Sequence, residues 1–336
     1  MGREPVAAQV PGSVGPSRPR RRERFHDQSS RGARRVIPVL LLCQAVLDLV
    51  LLAAIAFGVA GFVRRRRGAP AFWWISAGVL LLVAVILLLA IGILTHGPIV
   101  RLDAAMSLAS FSHRVPWLDR LMIAVSAAGD GLERTTATVL IVVFLLWRRR
   151  WLAALALALV MTASAILVPS LKTAFHFARP SLLYSGADAF SFPSGHAASA
   201  AALFVMLAFI TGRGASTSGR WIVGGLAALI IGLTGLSRIH VGAHWLSDVL
   251  AGFALGGALG LAGIMLALRE PPETAKSWHG LAVLIILIAV ATVLLPKAYR
   301  KGERLYGPYL ARPIDRVVDP GHLGGPGRPI APPPGV

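Results

Sequence analysis

Apolar runs long enough to cross a lipid bilayer dominate this sequence and restrict what it can fold into. In hydrocarbon, each backbone polar group needs a hydrogen-bond partner, and a helix of about 20 apolar residues supplies those partners internally. The expected fold is therefore an all-α, polytopic membrane helix bundle, and 55% hydrophobic residues is more than an ordinary soluble domain carries. We predict eight spans, near residues 36–63, 72–98, 131–147, 151–171, 197–211, 221–236, 245–268 and 279–296.

Polar segments flank the apolar runs at both ends of the chain and predict unstructured tails. A mixed segment at 101–130 predicts a short interfacial helix around 117–128. The expected organisation is a disordered basic tail at 1–35, an extra N-terminal span at 36–63, a central core at 72–268, an extra C-terminal span at 279–296 and a disordered tail at 297–336.

The basic residues predict the orientation of the bundle. The chain has 34 Lys and Arg against 15 Asp and Glu, a formal net charge of +19. Basic clusters beside apolar runs suit anionic lipid head groups and cytoplasmic loops better than nucleic acid, so we expect a cell-membrane protein that does not bind nucleic acid. The polar stretches at 172–196 and 237–244 are then expected on the extracytoplasmic face. The basic connectors that place the opposite side in the cytoplasm are 64–67, 148–150, 213–220 and 269–276.

The first polar cluster combines Lys172 with Arg179 and Pro180. Residues seven apart on a helix project from nearly the same face, and a proline disfavours helical geometry in the residue before it. Two cations on one face near a helix end predict an anion site. The alternative is that both side chains extend to the membrane interface without binding any ligand.

The second cluster is Pro193-Ser194-Gly195-His196, which precedes an apolar run. A loop that enters a helix presents unpaired backbone N–H groups and the positive end of the helix dipole to an anion. Ser194 is a natural N-cap, Gly195 permits close backbone approach, and His196 is a candidate proton donor. An ordinary helix cap beside an uninvolved histidine is the alternative.

The third cluster contains Arg238, His244 and Asp248. Residues four apart are neighbours on a helix face, so Asp248 is expected to hold one imidazole nitrogen of His244 and leave the other free to attack. A zinc site formed by His240, His244 and Asp248 is the alternative. Zinc would leave unexplained the three nearby cations, which would repel a metal ion.

Together the clusters offer three cations, a helix N-terminus, two histidines and a carboxylate, a set that suits a phosphate group. With these three clusters the sequence resembles the type 2 phosphatidic acid phosphatase (PAP2) superfamily, over about residues 72–268. The signature of that family is K-x6-RP, PSGH and SR-x5-H-x3-D. Every signature position is present, as Lys172, Arg179, Pro180, Pro193, Ser194, Gly195, His196, Ser237, Arg238, His244 and Asp248.

The resemblance implies a role for each site residue. His244 would attack phosphorus and become phosphohistidine, Asp248 would orient His244, and His196 would protonate the leaving oxygen. The family needs no metal, so no cofactor is expected. The groups implied to hold the phosphate oxygens are Lys172, Arg179, Ser194, the Gly195 N–H and Arg238.

The resemblance implies a metal-independent membrane phosphatase that acts on a lipid monophosphate or diphosphate. A phosphotransferase that uses an acceptor alcohol in place of water would need the same pocket. A vanadium haloperoxidase shares the residue pattern, but those proteins are typically soluble. A non-enzymatic transporter or structural membrane protein would not need the intact signature. The sequence indicates neither the lipid nor the oligomeric state.

Overall fold

The structure, a computed structural model, describes residues 20–64, 71–112, 114–180, 189–271 and 278–311. The described residues form ten helices: α1 Arg20–Arg64, α2 Phe72–Leu94, α3 Pro98–Ser112, α4 Pro116–Ala128, α5 Gly131–Trp147, α6 Trp151–Phe175, α7 Gly195–Gly212, α8 Thr217–His240, α9 Leu246–Ala267 and α10 Trp278–Leu310. In the described residues the only β-type pairing is an isolated bridge between Ala178 and Phe190. The all-α prediction is confirmed.

The chain divides into two compact units, Met1–Val39 and Leu40–Val336. In the first unit the structure describes helical backbone from Arg20 onward. The second unit holds all the other helices. Because α1 begins at Arg20, helix occupies part of the segment predicted to be a disordered tail. That segment, RRRERFHDQSSRGARR, is rich in arginine, which forms helices readily, and this composition outweighs its low hydrophobicity.

Seven of the described helices are long and apolar enough to cross a membrane. They include Leu40–Phe62 of α1 and Gly280–Pro308 of α10, which correspond to the two predicted outer spans. The one remaining predicted span, 131–147, is the helix α5, but its 17 residues fall short of the usual ~20. The predicted interfacial helix is present as α4, whereas α3 was not predicted.

The C-terminal boundary of the last span was predicted wrongly. The prediction ended this span at Pro296, but α10 continues through that proline to Leu310. Inside a membrane bundle, neighbouring groups compensate for a proline in a helix. Beyond it, Ala298, Tyr306 and Leu310 are buried on one face, and Tyr306 and Leu310 pack with Met122 and other residues in one apolar cluster. This packing stabilises a segment that looks polar in sequence. The rest of the predicted tail, 312–336, lies outside the described residues.

Helices α7 and α9 pack closely at the centre of the bundle. Gly252, Gly256 and Gly260 lie at four-residue intervals on α9 and face α7. A Cβ on Gly252 would lie 2.6 Å from Ser194 O, and one on Gly256 would collide with Ala198 O. Small residues at this spacing let two membrane helices approach until their backbones touch. The contact fixes the start of α9 against the start of α7.

The connectors at the starts of α6 and α8 and at the end of α9 lie together. Arg150 Nε is 2.8 Å from Glu270 Oε2, and Arg213 donates to Ala267 O at 2.8 Å and to the Glu270 carbonyl. We call this group of residues the basic-loop end of the bundle. Three of the four basic connectors predicted to share one side therefore do so. The fourth, 64–67, lies largely outside the described residues.

Candidate active site

Four chain segments meet at the opposite end of the bundle, which we call the site end. Helices α6 and α8 finish there, and α7 and α9 begin there. The three polar clusters of the sequence are thereby brought together. Their members are Lys172 and Arg179, Ser194 to His196, and Arg238 with His244 and Asp248.

The segment that carries Arg179 is not helical. Helix α6 ends at Phe175, and His176 takes a left-handed conformation with φ 55°. The chain then runs beside residues 190–191, where both the N–H and the hydroxyl of Ser191 donate to Phe177 O at 2.7 and 3.0 Å. Our prediction that Lys172 and Arg179 share a helix face is therefore wrong. They converge because the chain turns after α6.

Aromatic packing secures this turn below the polar groups. The rings of Phe175, Phe177 and Phe192 lie in mutual contact, with centroids 5.3–5.5 Å apart. Phe192 is completely buried and precedes Pro193 through a cis peptide bond. Apolar aromatic burial of this kind anchors loops that would otherwise be held only by hydrogen bonds.

His244 makes one polar contact with each ring nitrogen. Its Nδ1 lies 3.3 Å from Asp248 Oδ2, and its Nε2 lies 3.1 Å from an Arg179 guanidinium nitrogen. A guanidinium only donates, so Nε2 must be the acceptor and Nδ1 must carry the proton toward the carboxylate. The arrangement defines one tautomer, in which the Nε2 lone pair points toward Arg179. A ligand that binds Arg179 would therefore meet this lone pair.

The contact between His244 and Asp248 was predicted, but for a different geometric reason. Helix α8 ends at His240 and α9 begins at Leu246, so His244 lies in a tight turn before the helix. Asp248 Oδ2 also accepts from the Trp245 N–H at 2.9 Å, which caps the first turn of α9. The carboxylate thus holds the backbone of the turn and the imidazole of His244 at the same time.

The surroundings of His244 keep the imidazole neutral. The residue is 3% exposed, and burial lowers the pKa of His244 well below its ordinary value of 6.5. The positive charges of Arg179, Arg238 and Lys172 lower it further. Three cations act on this one ring, and their combined positive field suits the place to an anion.

The start of α7 faces the same space. Gly195 is its first residue, so the Gly195 N–H has no carbonyl partner within the helix. Ser194 occupies the predicted N-cap position, but its hydroxyl makes no cap bond. The Ser194 N–H donates to Asp248 O at 2.9 Å. The buried Ser194 hydroxyl has no hydrogen-bond partner among the described residues, and such groups are rare unless a ligand or water meets them.

His196 pairs with a carboxylate that sequence reasoning missed. Its Nε2 lies 3.7 Å from one oxygen of Asp130, and the other oxygen of Asp130 lies 3.0 Å from Lys301 Nζ. The nearby His196 and Lys301 lower the pKa of Asp130, so this carboxylate stays charged. A charged carboxylate therefore lies beside the imidazole of the candidate proton donor.

Arg238 is also held by residues outside the predicted site. It is 2% exposed and donates to the Ser126 hydroxyl and to the Tyr306 hydroxyl, the latter at 3.0 Å. Its guanidinium lies 5.6 Å from the centroid of the Tyr306 ring. Ser126 comes from α4 and Tyr306 from α10, so two helices outside the sequence signature orient this cation.

Asp103 of α3 is a further missed residue. Its two oxygens accept from the Ser247 N–H at 2.8 Å and the Ser247 hydroxyl at 2.6 Å, which fixes the start of α9. Burial raises the pKa of Asp103, and the bonds from Ser247 oppose that rise. An acidic residue in a mixed segment gave no signal of this contact, because only the fold brings α3 to α9.

The residues of the zinc alternative do not converge. His240 Nε2 lies 2.7 Å from Asp119 Oδ1, away from the pair formed by His244 and Asp248. Within the described residues, no three His, Cys, Asp or Glu side chains are grouped as metal ligands.

Comparison with known proteins gives one consistent result. Residues 151–271 match the PAP2 superfamily. Phosphatidylglycerophosphatase B of Bacillus subtilis (strain 168) is 30% identical over 162 residues, which cover 46% of this chain and 77% of that protein. Undecaprenyl-diphosphatase of Sulfolobus acidocaldarius is 27% identical over 163 residues, covering 47% of this chain and 75% of that protein.

A solved structure matches as well. The crystal structure of a transmembrane PAP2 type phosphatidylglycerolphosphate phosphatase from Bacillus subtilis superposes with a TM-score of 0.51 at 28% identity. The match covers 57% of this chain and 97% of that structure. All signature residues fall inside 151–271, whereas Asp103, Ser126, Asp130, Lys301 and Tyr306 fall outside it.

Proposed function

This chain belongs to the PAP2 superfamily and is a membrane lipid phosphatase, and we propose that it works through a phosphohistidine at His244. The observation that carries the proposal is the state of the His244 ring. Asp248 orients Nδ1, and the cations around the ring keep Nε2 unprotonated. A nucleophile needs such an available lone pair, oriented by a partner at its other nitrogen.

The first step transfers the phosphoryl group to the enzyme. The Nε2 lone pair of His244 attacks phosphorus, the bond from phosphorus to the leaving oxygen breaks, and that oxygen takes a proton from His196. Charge on the three equatorial oxygens would be stabilised by Lys172, Arg179 and Arg238 together with the Ser194 hydroxyl and the Gly195 N–H. The position of Arg179 beside Nε2 supports this, because a bound phosphate would lie between them.

The second step returns the enzyme to its starting state. His196, now neutral, accepts a proton from water while the water oxygen attacks phosphorus. The bond from phosphorus to Nε2 breaks, inorganic phosphate leaves, and His196 is again protonated. Asp130 stabilises the protonated state, since its negative charge favours a proton on His196 without accepting that proton itself.

The substrate is proposed from the named relatives and from the membrane setting. One relative is named for phosphatidylglycerophosphate and the other for undecaprenyl diphosphate, and both are lipids with a terminal phosphate. Seven of the described helices are long and apolar enough to cross a membrane, so a lipid would reach the site end from the bilayer. With the basic-loop end in the cytoplasm, the site would face the extracytoplasmic side.

A phosphotransferase would use the same pocket, with an acceptor alcohol in place of water in the second step. Release of inorganic phosphate distinguishes the two reactions. Hydrolysis yields one phosphate for each lipid consumed, whereas transfer yields a phosphorylated acceptor.

The test is phosphate release by the purified protein in detergent from phosphatidate, phosphatidylglycerol phosphate and a polyprenyl diphosphate. We expect release from at least one lipid, insensitivity to EDTA, and loss of about 10⁴-fold or more in His244→Ala. Acid-labile, alkali-stable ³²P on the parent protein and not on the variant would identify the phosphohistidine. Full activity in His244→Ala would overturn the nucleophile assignment, and inhibition by EDTA reversed by zinc would revive the metal site.

A further inference from the structure

The C-terminal part of α10 carries a row of positive side chains beside the active site. Lys297, Arg300, Lys301 and Arg304 are spaced at i, i+3, i+4 and i+7, so they lie on one face of the helix. All four line an open groove of about 930 Å³, whose other wall is the start of α5, with Asp130, Leu132 and Glu133. We call this the α10 groove. It lies outside the part of the chain that matches the PAP2 superfamily.

The α10 groove adjoins the proposed acid, His196. One oxygen of Asp130 is 3.7 Å from His196 Nε2 and the other is 3.0 Å from Lys301 Nζ. A single carboxylate group therefore separates the imidazole from the nearest cation of the groove. Because His196 protonates the leaving oxygen in the proposed mechanism, the part of the substrate beyond that oxygen lies toward this side.

The charges in the groove do not balance. Four cations face two carboxylates, and Glu133 is 5% exposed on the α5 wall. Within the described residues, Lys301 is the one member of the row with a carboxylate partner, Asp130. Like charges at i, i+3 and i+4 repel and destabilise a helix. A row of this kind is therefore stabilised when an anion lies against it.

We propose that the α10 groove binds a second phosphate of the substrate, on the leaving-group side of the bond that breaks. This inference rests on the proposed function. The substrate class is then a lipid with two phosphates, either a diphosphate or a terminal phosphate linked through a short alcohol to a phosphodiester. A lipid with a single phosphate, such as phosphatidate, would leave the groove empty. Arg and Lys at close range supply the charge-assisted hydrogen bonds that such a group needs.

The ordinary explanation for the row is that it contacts bulk anionic lipid at the membrane interface. The two explanations differ in a measurable way. Contact with bulk lipid would act equally on every substrate, and it would disappear in a neutral detergent. A second-phosphate site would discriminate between substrates with the same tail in the absence of any anionic lipid.

The experiment compares a prenyl diphosphate with the prenyl monophosphate of the same chain length in neutral detergent. The variant is Arg300→Gln/Arg304→Gln, which keeps the pair formed by Lys301 and Asp130. The matched control is Arg101→Gln, an exposed arginine of α3 at the site end that does not line the groove. We expect the ratio of kcat/KM for diphosphate over monophosphate to fall about tenfold or more in the double variant and to stay at the parent value in the control.

Equilibrium binding to full-length His244→Ala gives a second readout that needs no turnover. The diphosphate should bind this protein more tightly than the monophosphate, and Arg300→Gln/Arg304→Gln should remove the difference. Equal losses for both lipids, or no loss for either, would overturn the proposal. If the parent hydrolyses no lipid but the binding difference is present, the proposed function fails and the second-phosphate site stands.

Discussion

The two ends of the bundle both gather arginines, but they use them in different ways. At the basic-loop end, Glu270 lies between Arg150 and Arg213, and its carboxylate also accepts from the backbone N–H groups of Leu152 and Ala153. Arg213 donates to the carbonyl groups that end α9. The charges of Arg150, Arg213 and Glu270 are thus met by protein groups, and these contacts hold three connectors together.

At the site end the cations surround a histidine instead of a carboxylate. Lys172, Arg179 and Arg238 together depress the pKa of His244, which shows that their fields converge on one ring. The nearest carboxylate, Asp248, is turned to Nδ1 of that ring and to the backbone of the turn. Arginines neutralised by protein are structural, whereas arginines concentrated on an imidazole form a place for a ligand anion. Mutations at the two ends should therefore separate catalysis from stability.

Among variants that keep His244, the largest effect on rate at the site end is expected from Asp248→Asn. An asparagine oxygen in place of Oδ2 can still accept from the Trp245 N–H and from His244 Nδ1. The neutral amide, however, does not stabilise the positive charge that the His244 ring gains when Nε2 attacks phosphorus. We expect kcat to fall by about 10³-fold or more with little change in the thermal unfolding midpoint. Initial rates and a detergent unfolding curve on the same preparation check both parts. A parent-like rate would show that the negative charge of Asp248 does not assist the nucleophile.

Glu270→Gln at the basic-loop end is expected to lower stability and to leave the rate unchanged. Removing this charge leaves Arg150 and Arg213 together in a partly buried place, which costs about 2–3 kcal/mol of stability. The unfolding midpoint should drop, while kcat per folded molecule stays at the parent value. Glu303→Gln, an exposed carboxylate of α10, is the matched control. A lower kcat in properly folded Glu270→Gln would mean that the two ends are coupled.

A smaller effect is expected from Tyr306→Phe. The ring remains under the Arg238 guanidinium, but the hydroxyl that accepts its hydrogen bond is lost. We expect a rise in KM of about threefold to tenfold with kcat little changed, because a misplaced cation weakens binding of substrate and transition state alike. Tyr299→Phe on the same helix serves as the control. If Tyr306→Phe behaved like this control, α10 would have no part in positioning Arg238.

The smallest expected effect is a shift in the acidic part of the pH profile of kcat/KM in Lys172→Gln. The positive charge of Lys172 disfavours imidazolium, so its removal raises the pKa of His244 toward its ordinary value. The nucleophile must be neutral, and it would therefore be lost by protonation at a higher pH than in the parent. The ratio of variant to parent kcat/KM cancels the ionisation of the substrate. Measured from neutral pH down to the lowest pH at which both proteins stay folded, this ratio should fall as the pH falls. A ratio that is constant with pH would contradict the role of Lys172 in that field.

Sequence reasoning located the site through residue types that are costly in a membrane, such as His244 and Asp248 beside an apolar run. It placed Arg179 wrongly because helical spacing was extended past Phe175, where the chain turns instead. It also missed the contacts of Asp130 and Tyr306. These residues lie far from the signature in sequence, and only the packing of α5 and α10 brings them to it.

The boundary errors have a similar origin. The sequence pattern ended the last span at Pro296 because proline and the charged residues after it normally stop a helix. The buried face formed by Ala298, Tyr306 and Leu310 decides otherwise, and tertiary burial of this kind cannot be read from local composition. The type of element and the grouping of the three polar clusters were predictable, whereas partners from distant helices were not.

The backbone contact between α7 and α9 has a consequence for how the protein responds to its surroundings. Gly252 brings α9 against Ser194, and the Ser194 N–H is bonded to Asp248 O, so the starts of α7 and α9 belong to one rigid pair of helices. A bilayer that is thicker or thinner than the apolar spans is accommodated mainly by tilting helices. Such tilting would carry this pair as a unit and leave the distances between Ser194, His196 and Asp248 unchanged. We therefore expect turnover to depend on the substrate's head group and to be largely independent of the acyl-chain length of the host membrane.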